Sequence, residues 1–361
     1  MKKIAHIISS LKRGGAESLL VDLLADLGHY EHHVIFFHDG PNRERLHELG
    51  IKTYQVKGLL FLYDPIFFIR LYQLVKLLKP DCMHTALWIA NFAGRIIAKM
   101  LAIPLVSVIH LGIHQDGKIR NILDSFTFGL SQKIIAVSDE VAESLEEKNW
   151  VPASSITVIK NGISKERVLR QATKDPLTRQ ELGIADDAFV IGSVGRFIAR
   201  KNFELLLDAF ADVAPKIPHA VLVLVGFGPL EQILRKRAFD LGIDRKVHFV
   251  VGRSAYGCYP LFDCFVLPSL QEGLSIALLE ALCFGLPVIV TGFNGLHEVI
   301  TTGKEGYVIN AGNKEQLSEK ILALADNGCR ASMKSASLDL VETRFSMKSM
   351  SKHYDNFFGQ L

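Results

Sequence analysis

Short β-branched runs alternate with amphipathic helical stretches almost from the first residue, and this alternation limits the folds open to the chain. Helical stretches include Ala16–Leu27, Pro65–Leu78 and Asp139–Lys148. The strand-like runs around them are Ile4–Ile8, His33–Phe37, Lys52–Val56, Leu105–Ile109, Lys133–Val137 and Ser155–Ile159. Strands that alternate with helices form parallel sheets covered on both faces, so we predict a doubly wound α/β domain.

The same alternation restarts after a polar stretch, Ser164–Asp187, which lacks sustained apolar patterning and is a candidate domain junction. We therefore predict an N-terminal Rossmann-like domain at 1–168 and a C-terminal one at 169–342. A last helix at 343–361 is expected to pack back on the N-terminal domain. The second set of strand-like runs is Phe189–Val194, Ala220–Val225, Val247–Val250, Cys264–Leu267, Pro287–Val290 and Gly306–Ile309.

Composition narrows the class of protein. The chain has 361 residues with 41 Lys and Arg against 38 Asp and Glu, which is too balanced for a dedicated nucleic-acid binder. Its five cysteines form no C-x-x-C pair, as is typical of a reducing compartment. The first apolar run is too short for a signal peptide, and Glu280, Gly285 and Pro287 interrupt the longest weakly charged stretch. We expect a cytoplasmic protein that at most rests peripherally on the inner face of the membrane.

The first candidate for chemistry is the pair Gly14-Gly15, which lies between the first strand and the first helix. Glycines let a ligand approach the backbone, and the exposed amides of a helix start favour an anion such as phosphate. The pattern G-x-G-x-x-G is absent, so this is not a dinucleotide fingerprint. A plain tight turn would have the same sequence, and both interpretations stay open.

Two cations mark the end of the first strand of the second domain. Arg196 follows Gly195 directly, and Lys201 precedes the next helix. Cations are not expected at a helix N-terminus for dipole reasons, but they would suit a site for a diphosphate. A solvated pair in a loop is about equally consistent with this sequence.

A third strand-to-helix turn contains Gly226 and Gly228. These glycines would thin the wall of a crevice beside the strand ends. Many structural turns of this kind look the same, so the signal is weak.

The most specific pattern runs from Pro268 to Ala281. Glu272 lies in a loop, Gly273 to Ser275 present backbone amides at a helix start, and Glu280 lies inside an otherwise apolar helix. A carboxylate in such a helix needs partners, and the hydroxyls of a ribose or hexose would be suitable donors. A capped helix with one internal salt bridge is the structural alternative.

Taken together, these motifs resemble those of the retaining glycosyltransferases of family 4, also called glycosyl transferases group 1. The resemblance spans nearly the whole chain and includes Glu272 and Glu280 as the E-x7-E pair of the family. The other matching segments are Gly14-Gly15-Ala16-Glu17, Val137-Ser138, Ile159-Lys160-Asn161-Gly162-Ile163, Val194-Gly195-Arg196 with Lys201-Asn202, and Leu224-Val225-Gly226-Phe227-Gly228-Pro229. This resemblance implies the GT-B architecture, in which two doubly wound Rossmann-like domains face a central cleft.

The resemblance also implies a role for each matching residue. Amides at Gly14 and Gly15 would approach the donor diphosphate from the N-terminal domain. In the C-terminal domain Gly226 would bind the donor, and the amides of Gly273, Leu274 and Ser275 would face its sugar and phosphates. Arg196 and Lys201 would bind the diphosphate, and Glu280 the ribose. Glu272 would face the transferred sugar, and His110 would lie beside the sugar and the acceptor. From its sequence context alone, His110 could equally be a strand-end histidine with a backbone partner.

The implied reaction moves a hexose or N-acetylhexosamine from a nucleotide sugar, UDP-linked in most of the family, to a glycan or lipid-linked acceptor. Surface polysaccharide or glycolipid synthesis is the implied setting. No Asp-x-Asp occurs in the chain, so we expect no metal and no cofactor. A nucleotide-sugar isomerase or hydrolase on the same fold, or a catalytically silent nucleotide-binding subunit, are the alternatives.

Two further clusters invite interpretation. His29, His32, His33 and His38 could suggest zinc, but they span a helix end and a strand without cysteines, so we give zinc little weight. The aromatic stretch Phe61–Arg70 is either a loop leading into a core-packing helix or an apolar contact for a lipid-linked acceptor or a membrane. Lys57, Arg70, Lys76 and Lys79 lie near it in sequence.

Overall fold

The computed structural model of the protein divides the chain into two compact units. One consists of Met1–Gly162 with Met347–Leu361, and the other is Ile163–Ser346. The boundary between the two units, after Gly162, lies just before the polar stretch Ser164–Asp187 and not within it. The residues described are 1–12, 14–58, 64–110, 118–148, 152–270, 272–292, 296 and 299–361. Residues 61–63 of the aromatic stretch and Gln271 of the motif from Pro268 to Ala281 lie outside them.

The first unit is built on a parallel sheet of seven strands among the described residues, in the order β3-β2-β1-β4-β5-β6-β7. This is a doubly wound order, in which the chain moves outward from β1 to one edge and then crosses to β4. The strands are β1 (Lys3–Ser10), β2 (Glu31–His38), β3 (Lys52–Gln55), β4 (Cys82–Ala86), β5 (Leu105–Ile109), β6 (Lys133–Ala136) and β7 (Ile156–Val158).

Helices cover this sheet, and the last helix of the chain belongs to the same unit. That helix, α13 (Met347–Gly359), packs against α1 (Gly15–Asp26). The Ser351 hydroxyl donates to Asp26 over 3.0 Å, and Lys2 Nζ donates to the Phe358 carbonyl oxygen over 2.7 Å. The other helices are α2 (Asn42–Glu48), α3 (Pro65–Leu78), α4 (Trp88–Leu101), α5 (Lys118–Thr127) and α6 (Asp139–Glu146).

The second unit has a parallel six-stranded sheet in the order β10-β9-β8-β11-β12-β13. Its strands are β8 (Phe189–Val194), β9 (Ala220–Val225), β10 (Val247–Val250), β11 (Cys264–Leu267), β12 (Val288–Thr291) and β13 (Gly306–Ile309). Its helices are α7 (Lys165–Ala172), α8 (Phe203–Val213), α9 (Glu231–Asp240), α10 (Ile276–Cys283), α11 (Lys314–Ala323) and α12 (Asn327–Arg344). Both units therefore have the doubly wound α/β fold that the alternation predicts.

None of the helices in the described parts of the chain is both long and apolar enough to cross a membrane. The five cysteines are all free thiols, and four of them are buried.

Candidate functional site

In the second unit, the loops after β8, β9 and β11 meet at one edge of the sheet. These three strands are neighbours and parallel, so their carboxyl ends point the same way. The first two loops are bonded together, because the Gly195 amide donates to the Val225 carbonyl oxygen over 2.9 Å. A Cβ on Gly226 would lie 1.9 Å from the Gly195 carbonyl oxygen. Glycine at 226 is therefore required for this close packing.

Arg196 and Lys201 occupy contrasting positions in the loop after β8. Arg196 is exposed, and its guanidinium has no hydrogen-bond or ion-pair partner within the described part of the chain. Lys201 is buried just before α8, with its aliphatic chain close to Gly195. One cation is therefore held by the protein, while the other is available to a ligand.

The ammonium of Lys201 forms an ion pair with Glu272 Oε2. The same oxygen accepts a hydrogen bond of 3.2 Å from the Ser269 hydroxyl. Both members of the pair are largely enclosed, with 11% and 15% of their side chains exposed. The two motifs, which lie 71 residues apart in sequence, thus converge on one ion pair.

The start of α10 is buried beside this pair. Gly273, Leu274 and Ser275 are all buried, and Ser275 is the N-cap residue. Its side chain makes no capping hydrogen bond, unlike the N-cap asparagine of α11. The first amides of a helix carry a partial positive charge, so this position suits an anion held near Lys201.

Glu280 lies inside α10, beyond the N-cap residue Ser275, and is 8% exposed. The hydroxyl of Tyr259, which is fully buried, donates to Glu280 Oε2 over 2.7 Å. Sequence reasoning missed Tyr259, because nothing in its local sequence indicates that it would contact a carboxylate 21 residues later. The sequence indicated this contact only through Glu280 itself, because a buried carboxylate needs a hydrogen-bond donor.

In the first unit, Gly14 and Gly15 form the turn between β1 and α1. Gly14 is the N-cap residue of α1 in an extended conformation, and Gly15 is exposed. The carboxylate of Glu17 folds back over this turn and accepts a 2.6 Å hydrogen bond from the Ser10 hydroxyl. A Cβ on Gly14 would lie 2.2 Å from Glu17 Oε2, so a side chain there would displace this carboxylate. In this structure a carboxylate occupies the position at the helix start.

His110 follows the end of β5 and is partly enclosed. Burial lowers its pKa to about 4. The imidazole is therefore neutral near pH 7, with one nitrogen able to accept a proton or a hydrogen bond.

The histidines considered for zinc do not converge. His29 is paired with Asp355, His33 contacts Tyr54 and Glu31, and His32 is bonded to His6. His32 and His33 are consecutive residues of β2, so their side chains point to opposite faces of the sheet and meet different partners. Within the described residues, no group of three or more metal-ligating side chains is assembled.

Comparison with known proteins identifies the class of protein to which the chain belongs. A family model described as glycosyl transferases group 1 matches residues 174–337, and one described as glycosyltransferase family 4 matches residues 13–167. The first match lies within the second unit, the other covers most of the first unit and ends just beyond it, and together they cover most of the chain. The chain belongs to this family of glycosyltransferases.

Individual relatives agree with this class. The Escherichia coli protein named UDP-Gal:alpha-D-GlcNAc-diphosphoundecaprenol alpha-1,3-galactosyltransferase is 28% identical over 289 residues, which is 73% of each chain. LpsD of Rhizobium meliloti, a lipopolysaccharide core biosynthesis glycosyltransferase, is 28% identical over 231 residues, or 63% of this chain and 64% of that one. The crystal structure of Anabaena HepE in complex with UDP-glucose covers 100% of both chains with a TM-score of 0.87 and 21% identity. The likeness to HepE confirms the GT-B fold.

Proposed function

We propose that the chain is a retaining glycosyltransferase that moves a hexose or N-acetylhexosamine from a UDP sugar to a glycan or lipid-linked acceptor. The proposed setting is surface polysaccharide or glycolipid synthesis at the inner face of the cytoplasmic membrane. The observation that carries the proposal is the ion pair between Lys201 and Glu272, which directly precedes the buried start of α10. The exposed Arg196 lies in the same loop as Lys201. The names of the E. coli relative and of the HepE complex, both with UDP sugars, support the choice of donor.

The proposed roles follow from where charge changes during transfer. When the bond between the anomeric carbon and the phosphate oxygen breaks, its electron pair passes to the departing diphosphate. Arg196, Lys201 and the first amides of α10 would stabilise this charge more in the transition state than in the ground state. Glu280, held by Tyr259, would accept the ribose hydroxyls, and Glu272 would orient both Lys201 and the sugar.

Retention of configuration needs attack on the face that the leaving group vacates. In the proposed step, the acceptor oxygen bonds to the anomeric carbon on that face, and its proton passes to the departing phosphate oxygen. No covalent protein intermediate is then needed. His110, which is neutral because burial lowers its pKa to about 4, would accept a hydrogen bond from the sugar or the acceptor.

The test is turnover of purified protein with UDP-glucose, UDP-galactose and UDP-N-acetylglucosamine, with and without a panel of glycan and lipid-linked acceptors. Acceptor-dependent UDP release with an α-linked product by NMR is expected. Release without any acceptor would indicate a hydrolase, conversion of the donor an isomerase, and UDP binding without chemistry a silent subunit. Each of these outcomes would overturn the proposal.

Metal independence is part of the same proposal. Two cations and a helix start can neutralise a diphosphate without a divalent ion. Turnover should therefore survive exhaustive treatment with EDTA. Loss of turnover that only a divalent ion restores would contradict the proposed mechanism.

A further inference from the structure

Helix α4 follows β4 directly and packs against β1, β4 and β5, and its first turns contain buried polar side chains. Asn91 is 3% exposed and Arg95 is fully buried. They lie four residues apart, so both are on the same side of the helix. A buried amide or guanidinium needs partners, because burial without them is costly. The partners of these two side chains show what α4 holds in place.

Asn91 holds the end of β5. Its Nδ2 donates to the Val108 carbonyl oxygen over 2.9 Å in the interior of the first unit. Val108 is the last residue but one of β5 (Leu105–Ile109), and His110 follows the strand directly. A hydrogen bond at the Val108 carbonyl therefore fixes the backbone from which the side chain of His110 projects.

α4 also holds α5, the helix that comes next in the chain. Arg95 Nη1 donates to Asp124 Oδ1 over 2.6 Å, and Trp88 Nε1 donates to Asp124 Oδ2 over 2.9 Å. Asp124 belongs to α5 and is buried, so both oxygens of its carboxylate are bonded to α4. α4 is thus attached to the chain on both sides of His110, at Val108 before it and at Asp124 after it.

The turn that leads into α4 is strained. Leu87, the N-cap residue, has φ 72° and ψ 149°, a conformation that is open to glycine but unfavourable for leucine. In the described part of the chain, the other non-glycine residues with positive φ have the ordinary left-handed conformation, with ψ between 38° and 59°; they are Lys79, Ala102 and Asn202. Strain of this kind persists only where the surrounding contacts enforce it, and it is concentrated at functional sites.

Leu87 lies where an open α/β sheet is expected to bind a ligand. In the order β3-β2-β1-β4-β5-β6-β7, the chain moves from β1 to one edge of the sheet and from β4 to the other. The carboxyl ends of β1 and β4 are therefore the topological switch point, beside which ligands bind. Leu87 follows β4, and His110 follows β5, its neighbour. The strained start of α4 and His110 thus lie at the same edge of the sheet.

We propose that Asn91 is a positioning residue for His110. Its bond to the Val108 carbonyl oxygen keeps the end of β5 in one place, while the bonds between α4 and Asp124 keep α5 beside it. The imidazole of His110 then stays enclosed and in a fixed orientation toward the sugar and the acceptor. Asn91 is itself buried, so it acts through His110. The inference deepens the proposed function, and it rests on that function for the part that His110 plays in transfer.

Thr85 of β4 provides a matched control. It is fully buried, and its hydroxyl donates to the Val106 carbonyl oxygen over 3.4 Å. Val106 is also a residue of β5, but it lies four positions before His110. Thr85→Val keeps the shape of the side chain and removes the bond to Val106, just as Asn91→Leu removes the bond to Val108. The two variants therefore differ in how close the lost bond is to His110.

The first experiment measures the pKa of His110 by NMR titration of the full chain with isotope-labelled histidine. The signal of His110 is assigned from its loss in His110→Ala, and that of His84, whose charge interacts with His110, is followed with it. Burial should keep the pKa of His110 at about 4 in the unchanged chain. Asn91→Leu should raise it by about one pH unit or more, since the end of β5 then opens to water. Thr85→Val should leave this pKa unchanged, although both variants should melt at a lower temperature.

The second experiment is a double-mutant cycle on acceptor-dependent turnover. Asn91→Leu should lower turnover by about tenfold or more and leave the affinity for UDP unchanged in calorimetric titration. In the His110→Ala background, Asn91→Leu should have no further effect, because it acts only through the imidazole. An equal loss with and without the imidazole would overturn the inference, and so would normal turnover in His110→Ala.

The two experiments also separate this inference from the proposed function. The NMR titration needs no substrate. A chain that transfers no sugar would therefore contradict the proposed function, while the pKa of His110 would still decide whether Asn91 positions the imidazole. An unchanged pKa of His110 in Asn91→Leu would overturn the inference. An equal change in Thr85→Val would overturn it too, because the whole unit would then be loosened.

Discussion

The hydroxyl of Tyr259 donates to Glu280 Oε2 over 2.7 Å in the interior of the second unit. The same hydroxyl lies 3.3 Å from the Ala277 carbonyl oxygen, so it bridges the side chain and the backbone of α10. Burial raises the pKa of Tyr259 well above its ordinary value, and the charge of Glu280 raises it further. The phenol therefore remains a donor, and it fixes the orientation of the carboxylate.

Glu280→Gln keeps the shape of the side chain but removes its charge. If Glu280 holds the ribose, this change should weaken UDP binding by about 1–3 kcal/mol, because hydrogen bonds to a charged acceptor are the stronger ones. Tyr259→Phe should weaken it by less, about 0.5–1.5 kcal/mol, since it only loosens the orientation of the carboxylate. Calorimetric titration with UDP measures both.

Tyr307→Phe is the control for this pair, because Tyr307 is a partly exposed tyrosine of the same unit that contacts Cys329 instead. It should leave UDP affinity unchanged. Should Glu280→Gln lower thermal stability but not UDP affinity, the glutamate is structural and the ribose site lies elsewhere.

The ion pair of Glu272 with Lys201 leads to a different expectation for Glu272 than for Glu280. Glu272→Gln removes the charge that holds Lys201, which is then freer to contact a diphosphate. UDP affinity should stay the same or rise slightly, while turnover of the UDP sugar should fall by about two orders of magnitude. Titration with UDP and steady-state kinetics should be performed on the same preparation. Equal losses of UDP affinity in Glu272→Gln and Glu280→Gln would contradict this division of roles.

Arg196 offers the cleanest test of the diphosphate site, because its exposed guanidinium has no partner within the described residues. Arg196→Ala should therefore leave thermal stability unchanged and lower turnover by about two orders of magnitude. Arg245→Ala, which removes another exposed arginine of the second unit, is the control and should have no effect on either quantity. Normal turnover in Arg196→Ala would remove Arg196 from the site.

The strands of the second unit could be predicted closely from sequence. Phe189–Val194, Ala220–Val225, Val247–Val250, Cys264–Leu267 and Gly306–Ile309 lie where the β-branched runs place them. β4, at the centre of the first sheet, was missed. Its residues Cys82–Ala86 include only one β-branched side chain, and its strand character comes from pairing with β1 and β5.

The sequence also predicted that Arg196 and Glu272 lie in loops after strands and that Glu280 lies in an apolar helix, and the structure has them there. Glycine turns and carboxylates in apolar helices can be recognised from the local sequence. It could not predict which of them pair. The bonds of Lys201 to Glu272 and of Tyr259 to Glu280 join distant segments, and they depend on which strands become neighbours. The roles of all these residues remain predictions, as do those of Gly14 and Gly15 at the donor and of His110 beside the sugar and the acceptor.

Three histidines form a buried chain in the first unit that sequence did not indicate. His32 Nε2 donates to the Leu27 carbonyl oxygen over 2.8 Å, so in a neutral His32 ring Nδ1 accepts the 3.0 Å hydrogen bond from His6 Nε2. His6 Nδ1 then accepts from His84 Nδ1 over 3.1 Å. Within the described structure, His84 Nε2 is buried without a hydrogen-bond partner. With all three rings neutral, each of these three hydrogen bonds has one donor and one acceptor.

The pKa values agree with this arrangement. Burial lowers the pKa of His84 to about 3, and it lowers those of His6 and His32 as well. Nearby histidines lower all three further. In the unfolded chain each ring would titrate near 6.5. Below about pH 6.5 the unfolded state therefore binds protons that the folded state does not, and stability falls as the pH falls toward about 3.

We expect His84→Asn, which keeps a donor near the Nδ1 position, to remove part of this pH dependence. The slope of unfolding free energy against pH between about pH 6 and 4 should decrease by up to about 1.4 kcal/mol per pH unit. Trp88, the first residue of α4, belongs to the first unit, so its fluorescence in urea reports the unfolding of that unit. His353→Asn, an exposed position on α13, is the control and should keep the original slope. Identical slopes in the two variants would mean that His84 takes up its proton in the folded protein, and the neutral chain of histidines would be wrong.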